Sequence, residues 1–323
     1  MRSNQRVEAA DRDRRRPAAE RLTPIGSQPV AAPSVNTLAA LARAMRPTQW
    51  VKNGVVFAAL VFGHRLGDPI AIGRTVAAAA VFCLLSSAMY LVNDVGDAER
   101  DRLHPVKRRR PVASGALSPR TALTAATVVL AAAAAGAAAL GAPFFAVGAA
   151  YVGLMIAYSW ELKRVAIVDV LAIAIGFVLR AASGALALDV TISPWLLVCT
   201  MLLALLLGFG KRRHELATLG NAAAHRRNLD DYTLPMLDQF VAVVAAATVM
   251  AYAVYTFDAP NAPNDHRMVL TVPIVLYAIF RYLFLIHARN EGGSPEALLL
   301  RDRPLAAAIA VWAAVCVALF YPS

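Results

Sequence analysis

The sequence predicts an all-α fold, a polytopic membrane bundle of about nine transmembrane helices. Three observations carry that reading. Hydrophobic residues fill 59% of the 323 positions and charged residues only 16%, where a soluble domain is nearer half apolar and a quarter charged. The apolar residues fall in runs of about 20, the length an α-helix needs to cross a bilayer. The positive charge, a formal net +11, lies between those runs. Only helices and closed barrels satisfy their backbone in lipid, and the alternating pattern of barrel strands is absent.

Residues 1–36 are rich in Arg, Ala and Pro and contain no long apolar run. They read as a disordered, basic cytoplasmic tail whose arginines suit anionic lipid. No apolar stretch of signal-peptide type follows the first arginines. Deleting the tail is expected to leave activity largely intact. Residues 37–323 read as a single transmembrane domain. Its spans are expected at 48–64, 72–95, 120–140, 143–160, 165–187, 194–210, 236–257, 268–288 and 303–321. The first is short and follows a basic, amphipathic approach from about residue 37. Gly141-Ala142-Pro143 is the turn signal within the Ala-rich stretch 120–160 and reads as a tight hairpin.

Lysine and arginine set the orientation. One set of loops carries Arg43 and Arg46, Arg100 to Arg120, Lys163 and Arg164, Lys211 to Arg227, and Arg289 to Arg303. The opposite loops carry little beyond Arg65, Arg74 and Arg267. The positive-inside rule puts the first set, and the N-terminus, in the cytoplasm of a cell whose plasma or inner membrane holds the chain. The basic balance thus follows topology and anionic ligands, and no nucleic-acid partner is expected. Cys83, Cys199 and Cys316 lie inside apolar runs without metal-type spacing and read as core residues.

The second span runs into Asn93-Asp94-Val95-Gly96-Asp97-Ala98-Glu99-Arg100-Asp101-Arg102. On a helix, Asn93, Asp97 and Asp101 share one face at i, i+4 and i+8. Three oxygen-bearing side chains on one stripe call for a cation between them. Hard oxygen ligands suit Mg2+, which keeps several waters and bridges to substrate phosphates. Asp94 lies about a quarter-turn away, available to a second ion or to a neighbouring basic residue. The following loop brings His104, Lys107, Arg108, Arg109 and Arg110. Acidic and basic groups in one loop match a metal diphosphate, with carboxylates on the metal and Arg102, Lys107, Arg108 and Arg110 on phosphate oxygens. Arg109 reads as a topology determinant only.

A second constellation closes the sixth span: Gly208-Phe209-Gly210-Lys211-Arg212-Arg213-His214-Glu215. Lys211 and Glu215 are i, i+4. Lys211 and Arg212 are candidates for phosphate, and Glu215 for metal or a ribose hydroxyl. The plainer alternative is a snorkelling helix end with an internal salt bridge. A third opens the first span, where Arg46, Gln49 and Lys52 or Asn53 recur as one stripe and Trp50 fits an interfacial belt. Arg180 lies in the middle of the fifth apolar run. An arginine there costs at least about 2.5 kcal/mol, so it should face the bundle interior and meet a carboxylate or lipid phosphate. Tyr158, Lys163 and Asp169 are weaker candidates at the same hairpin. The histidines have no metal-ligand spacing, and no nucleophile-elbow, P-loop or dinucleotide fingerprint appears.

The Asn-Asp-x-x-Asp-x-x-x-Asp motif after the second of nine spans resembles the UbiA superfamily of intramembrane prenyltransferases. The resemblance covers about residues 40 to 320. Within that superfamily it is most similar to the decaprenyl-phosphate phosphoribosyltransferases, through Arg46-Pro47-Thr48-Gln49-Trp50-Val51-Lys52-Asn53, Tyr90 to Arg110, Gly210 to Leu216, and Arg301-Asp302-Arg303. One departure from the aromatic prenyltransferases is informative. They carry a second Asp-x-x-x-Asp motif after the sixth span, where this chain has Lys211-Arg212-Arg213-His214-Glu215.

The resemblance implies Mg2+-dependent transfer of a 5-phosphoribosyl group from phosphoribosyl diphosphate to a polyprenyl phosphate, releasing diphosphate. Asn93, Asp97 and Asp101 would hold the metal. Lys52, Lys107, Arg108 and Lys211 would stabilise the leaving charge. The acceptor phosphate is already an anion, so no general base is needed. Membrane lipids complete the partners, and a homo-oligomer is compatible with this reading. The rival is an aromatic prenyltransferase using a polyprenyl diphosphate. A transporter would place ionisable residues near the middle of several spans, and only Arg180 is so placed.

Overall fold

The computed structural model describes residues 36–218, 229–258 and 266–321. The expected tail falls outside them, save Asn36, as do the loop arginines and His225 between 219 and 228. Among the described residues all regular structure is helical. In chain order the α-helices are α1 (Thr37–Ala44), α2 (Ala58–Phe62), α3 (Pro69–Gly96), α4 (Ala98–Leu103), α5 (Pro119–Leu140), α6 (Ala142–Trp160), α7 (Val168–Leu188), α8 (Pro194–Thr218), α9 (Leu234–Asp258), α10 (Val272–Ala288), α11 (Pro295–Arg301) and α12 (Arg303–Phe320). Among the described residues, eight helical segments are long and apolar enough to cross a membrane: α3, α5 to α9, Arg267–Ala288 and α12. Their ends lie within a few residues of the expected limits, except that α8 continues eight residues past Gly210.

The sequence explains those ends. Pro69 opens α3 and the Asp68 side chain accepts from the backbone N–H groups of Ile70 and Ala71. Ser118 does the same for α5 through Thr121. These side chains satisfy donors that the first helical turn leaves unpaired. Gly141, at φ 119°, is the single residue between α5 and α6, so the expected hairpin is as tight as two helices allow. Arg74 caps two helices at once, donating to the carbonyls of Ala187 at 2.6 Å and Leu140 at 3.2 Å.

The first expected span departs from the α-helix. Residues Pro47–Phe57 form a 3-10 helix that runs into the short α2. At about 2.0 Å per residue for 3-10 and 1.5 Å for α, these 16 residues (Pro47 to Phe62) reach about 30 Å, the thickness of a hydrocarbon core. The segment does cross the bundle. Arg46 contacts Asp94 at one end, while Tyr321 Oη donates to the Leu60 and Val61 carbonyls at the other. It lies against α3 and α7. Gly184 makes that approach possible, since a Cβ there would fall 2.1 Å from the Val56 carbonyl oxygen.

Polar contacts then show which helix ends meet. The C-terminal ends of α3, α6, α8 and α10 and the N-terminal ends of α7 and α9 share one end of the bundle. The basic loops after α3, α6 and α10 lie there too.

Candidate active site

The acidic motif straddles a break. α3 ends at Gly96, Asp97 sits at φ −100°, ψ 2°, and α4 begins at Ala98. Backbone bonds from Asp97 to Asn93 and from Asp101 to Asp97, each 2.9 Å, carry the i, i+4 rhythm through it. The side chains nevertheless face two ways. Asn93 and Asp97 face the end of α6. Ser159 Oγ donates to Asn93 Oδ1, and Lys163 Nζ lies 3.0 and 3.3 Å from the two Asp97 oxygens. Arg100 reaches the same carboxylate at 3.2 Å.

Asp94 and Asp101, seven residues apart and so on a shared face, turn elsewhere. Both are buried, at 1% and 4% exposure. Arg46 donates to Asp94 Oδ1. Arg110 Nη1 donates to Asp101 Oδ2 at 2.6 Å and reaches Asp94 Oδ1 at 3.5 Å. The Arg46 guanidinium also lies over the Tyr90 ring, 4.8 Å from its centre, in a cation–π contact. Of the two partners open to Asp94, the structure supplies basic residues. The expected Asn93–Asp97–Asp101 stripe is split, with Asp101 held by Arg110 and only Asn93 and Asp97 together.

The loop beyond is folded by its own members. His104 Nδ1 accepts from the backbone N–H groups of Val106 at 3.1 Å and Lys107 at 3.3 Å, closing a turn. Arg102 Nε donates to the Ala113 carbonyl at 3.3 Å. Lys107 is half-buried, and Arg108 and Arg109 are exposed.

The stripe on the first span is present for a different reason than α-helical spacing. Side chains three apart eclipse in a 3-10 helix, which puts Arg46, Gln49 and Lys52 half-buried in one row, with Asn53 fully buried beside it. Trp50 Nε1 donates to Ser87 Oγ at 3.1 Å. Arg180 faces the interior, as expected, but meets neither a carboxylate nor a phosphate among the described residues. Its three nitrogens donate to Asn53 Oδ1 at 2.8 Å, the Gly176 carbonyl at 3.0 Å and Tyr151 Oη at 2.7 Å. The faces of Tyr151 and Phe177 cover it at 4.7 and 5.1 Å. Neutral acceptors and ring quadrupoles take the place of a counter-ion.

The second motif is a lock. α8 stays helical through Thr218, which buries Arg212 at 2% exposure. Arg212 Nε donates to Asp169 Oδ2 at 2.7 Å, and its Nη1 to Glu215. Tyr232 donates to the other Asp169 oxygen at 3.1 Å and accepts from the Ile167 N–H. Burial pushes the Tyr232 phenol up to about 12. Arg212 and Glu215, expected on phosphate and on metal or ribose, instead hold each other and Asp169. Lys211 remains half-buried on the same turn. Gly210 serves packing, since a Cβ there would lie 2.3 Å from Tyr282 Oη. Tyr158, one residue before the Ser159 that holds Asn93, lies near Arg212, so the end of α6 stands close to both motifs.

The UbiA prenyltransferase family profile matches residues 54–301. This chain belongs to that family. The UbiA-family chain is 32% identical over 300 residues to a decaprenyl-phosphate phosphoribosyltransferase of Mycolicibacterium smegmatis, covering 88% of this chain and 94% of that protein. It is 34% identical over 290 residues to the protein of the same name from Mycobacterium tuberculosis, covering 88% and 95%. Among solved structures, a UbiA homologue from Archaeoglobus fulgidus bound to GPP and Mg2+ aligns with a TM-score of 0.67 at 20% identity, over 87% of this chain and 99% of that one. That likeness shows the fold. The UbiA-family chain is therefore a multi-pass, membrane-embedded transferase.

Several site residues had little sequence signal. Ser159 stands at the end of an apolar run, which is a faint cue. Tyr151, Tyr232 and Tyr90 offered none, because an aromatic residue near a span reads first as core or interface.

Proposed function

We propose that this enzyme transfers a 5-phosphoribosyl group from phosphoribosyl diphosphate to a polyprenyl phosphate of the decaprenyl type, releasing diphosphate. The observation that carries the reading is the 32% and 34% identity, over nearly the full length of both proteins, to relatives that bear this name. The lock at Arg212 supports it. A second acidic pair for a prenyl diphosphate has no place at an Arg212 already shared between Asp169 and Glu215.

The residues present fit Mg2+ in one way. No three His, Cys, Asp or Glu side chains among the described residues are grouped to hold a metal. Asn93 and Asp97 supply an amide oxygen and one half-exposed carboxylate. Mg2+ is commonly held by one or two carboxylates, with waters and substrate phosphates completing its octahedron. Bound there, it would neutralise the diphosphate. Lys163, 3.0 Å from Asp97, would stand beside a diphosphate held there, and Lys52, Lys107, Arg108 and Lys211 would add positive potential. Such fixed charge favours the transition state, where charge grows on the diphosphate. The acceptor's phosphate oxygen attacks C1 as the C1–O bond to diphosphate breaks, with no proton to remove. Arg212 acts as a positioning residue. The basic loops favour a cytoplasmic motif end, where soluble donor is present.

The test is donor choice. Full-length protein in lipid nanodiscs with Mg2+ should move label from phosphoribosyl diphosphate onto added decaprenyl phosphate, and chelation with EDTA should stop it. Transfer of a prenyl group to 4-hydroxybenzoate, with the phosphoribosyl donor left intact, would overturn the proposal.

A further inference from the structure

On the Asp94–Asp101 side of the motif, two guanidiniums meet a buried carboxylate. Each guanidinium presents five N–H donors on three nitrogens. Arg46 gives one nitrogen to Asp94, and Arg110 gives one to Asp94 and Asp101. Among the described residues, Arg46 Nε and Nη1 and Arg110 Nε and Nη2 have no hydrogen-bond partner. Both side chains are partly open, at 26% and 28% exposure. Between them, Asp94 Oδ2 is buried with no partner. The place therefore offers spare cationic donors and one orphaned acceptor.

That combination selects a chemical class. A fully ionised phosphate group satisfies the guanidiniums and brings no donor to Asp94 Oδ2. A prenyl chain satisfies nothing. A sugar phosphate satisfies both, with phosphate on the planar guanidinium forks and a hydroxyl donating to the carboxylate. We propose that Arg46 and Arg110 bind the 5-phosphate of the donor, remote from the leaving group, and that Asp94 accepts from a pentose hydroxyl. This rests on the phosphoribosyl reading above. Asn93 and Asp97 occupy the adjoining face of the same helix end, so a pentose phosphorylated at both ends lies across it. A helix with its side chains is about 10–12 Å wide, which is compatible with that reach. Asp101 holds Arg110 ready, so little ordering is left for binding. This subsite separates a phosphoribosyl donor from a prenyl one within a single fold.

Two probes test it in the transfer assay: ribose 5-phosphate for the proposed subsite and methylenediphosphonate for the leaving-group site. Both should inhibit the wild-type protein. In Arg46→Lys and Arg110→Lys, which keep charge but lose the fork, inhibition by ribose 5-phosphate should weaken about tenfold or more, while methylenediphosphonate should act as before. Equal weakening of both probes, or undiminished inhibition by ribose 5-phosphate, overturns the subsite. The unmutated protein gives a second readout. Ribose 5-phosphate should protect Arg46 and Arg110 from phenylglyoxal, seen by peptide mass spectrometry, and methylenediphosphonate should not. Equal protection by both also overturns it. Wild-type protein that transfers phosphoribosyl yet ignores ribose 5-phosphate refutes this subsite alone. Wild-type protein that transfers none refutes the function itself.

Discussion

The C-terminal ends of α3 and α8 each bring several charged residues to the same end of the bundle, and they use them differently. At α3, Asp97 is half-exposed and Arg46 and Arg110 keep unshared donors. At α8, Arg212 is sealed between Asp169 and Glu215, with Tyr232 on the far oxygen. Burial with carboxylates on two of the three guanidinium nitrogens marks a joint between helices. Partial exposure with donors in hand marks a place for a ligand. The contrast separates charges engaged in holding helices together from charges still open to a ligand, although both sets sit on helix ends.

Mutations can break the comparison or sharpen it. Arg212→Met should have the largest effect, on stability. It leaves Asp169, 0% exposed, without its cation, and breaking a buried pair typically costs about 3–5 kcal/mol. Thermal unfolding in detergent should show a large drop, and a variant as stable as wild type would erase the distinction. Asp97→Ala should do the opposite. Turnover should fall by about 10²–10³-fold, as for loss of a charge-stabilising group, while the melting temperature stays near that of wild type. Gly210→Ala should come next, at about 1–3 kcal/mol for overpacking, because its methyl meets Tyr282 Oη. Adding Tyr282→Phe should recover part of that loss, and no recovery would place the strain elsewhere.

The smallest effect belongs to Asp302. Its carboxylate takes Arg281 through both oxygens, at 3.0 and 2.7 Å, and caps α12 through Leu305. The Arg281 hydrogen bond holds the Asp302 carboxyl below the usual carboxylate range. A depressed carboxyl contributes stability above its unfolded pKa, about 4, and loses it as pH falls through the folded value. Asp302→Asn should therefore lower the melting temperature slightly at pH 7. The gap to wild type should close as the pH drops below about 4. A gap that persists in acid would assign the effect to packing instead.

Much of the fold was legible because apolar runs end at Pro, Asp, Ser or basic clusters, and those residues are the caps observed. The first span was legible as a crossing and illegible as a 3-10 helix. Its winding is pinned from outside, by Arg46 to Asp94, Trp50 to Ser87 and Asn53 to Arg180, and tertiary anchors leave no local pattern. In the site, the chemistry-bearing residue types were legible and their pairings were not. Asp94 meets Arg46 from 48 positions upstream and Arg110 from 16 downstream. Helical spacing describes only neighbours on one helix. The partner of Arg212 was illegible for the same reason, since Asp169 reaches it from another helix and Tyr232 takes the far oxygen of Asp169.

The 3-10 segment also sets a length. Pro47–Phe57 is held at its upper end by Arg46 and, deeper, by the contact of Val56 with Gly184. Rewinding those 11 residues as an α-helix would shorten them by about 0.5 Å each, some 5–6 Å in all and close to one helical turn. With the deep anchor fixed, the whole change would appear as travel of Arg46 along α3. The segment is thus a gauge rod whose pitch fixes how far a guanidinium extends over the acidic motif, and the glycine that seats its lower end calibrates a residue at the far end of the rod.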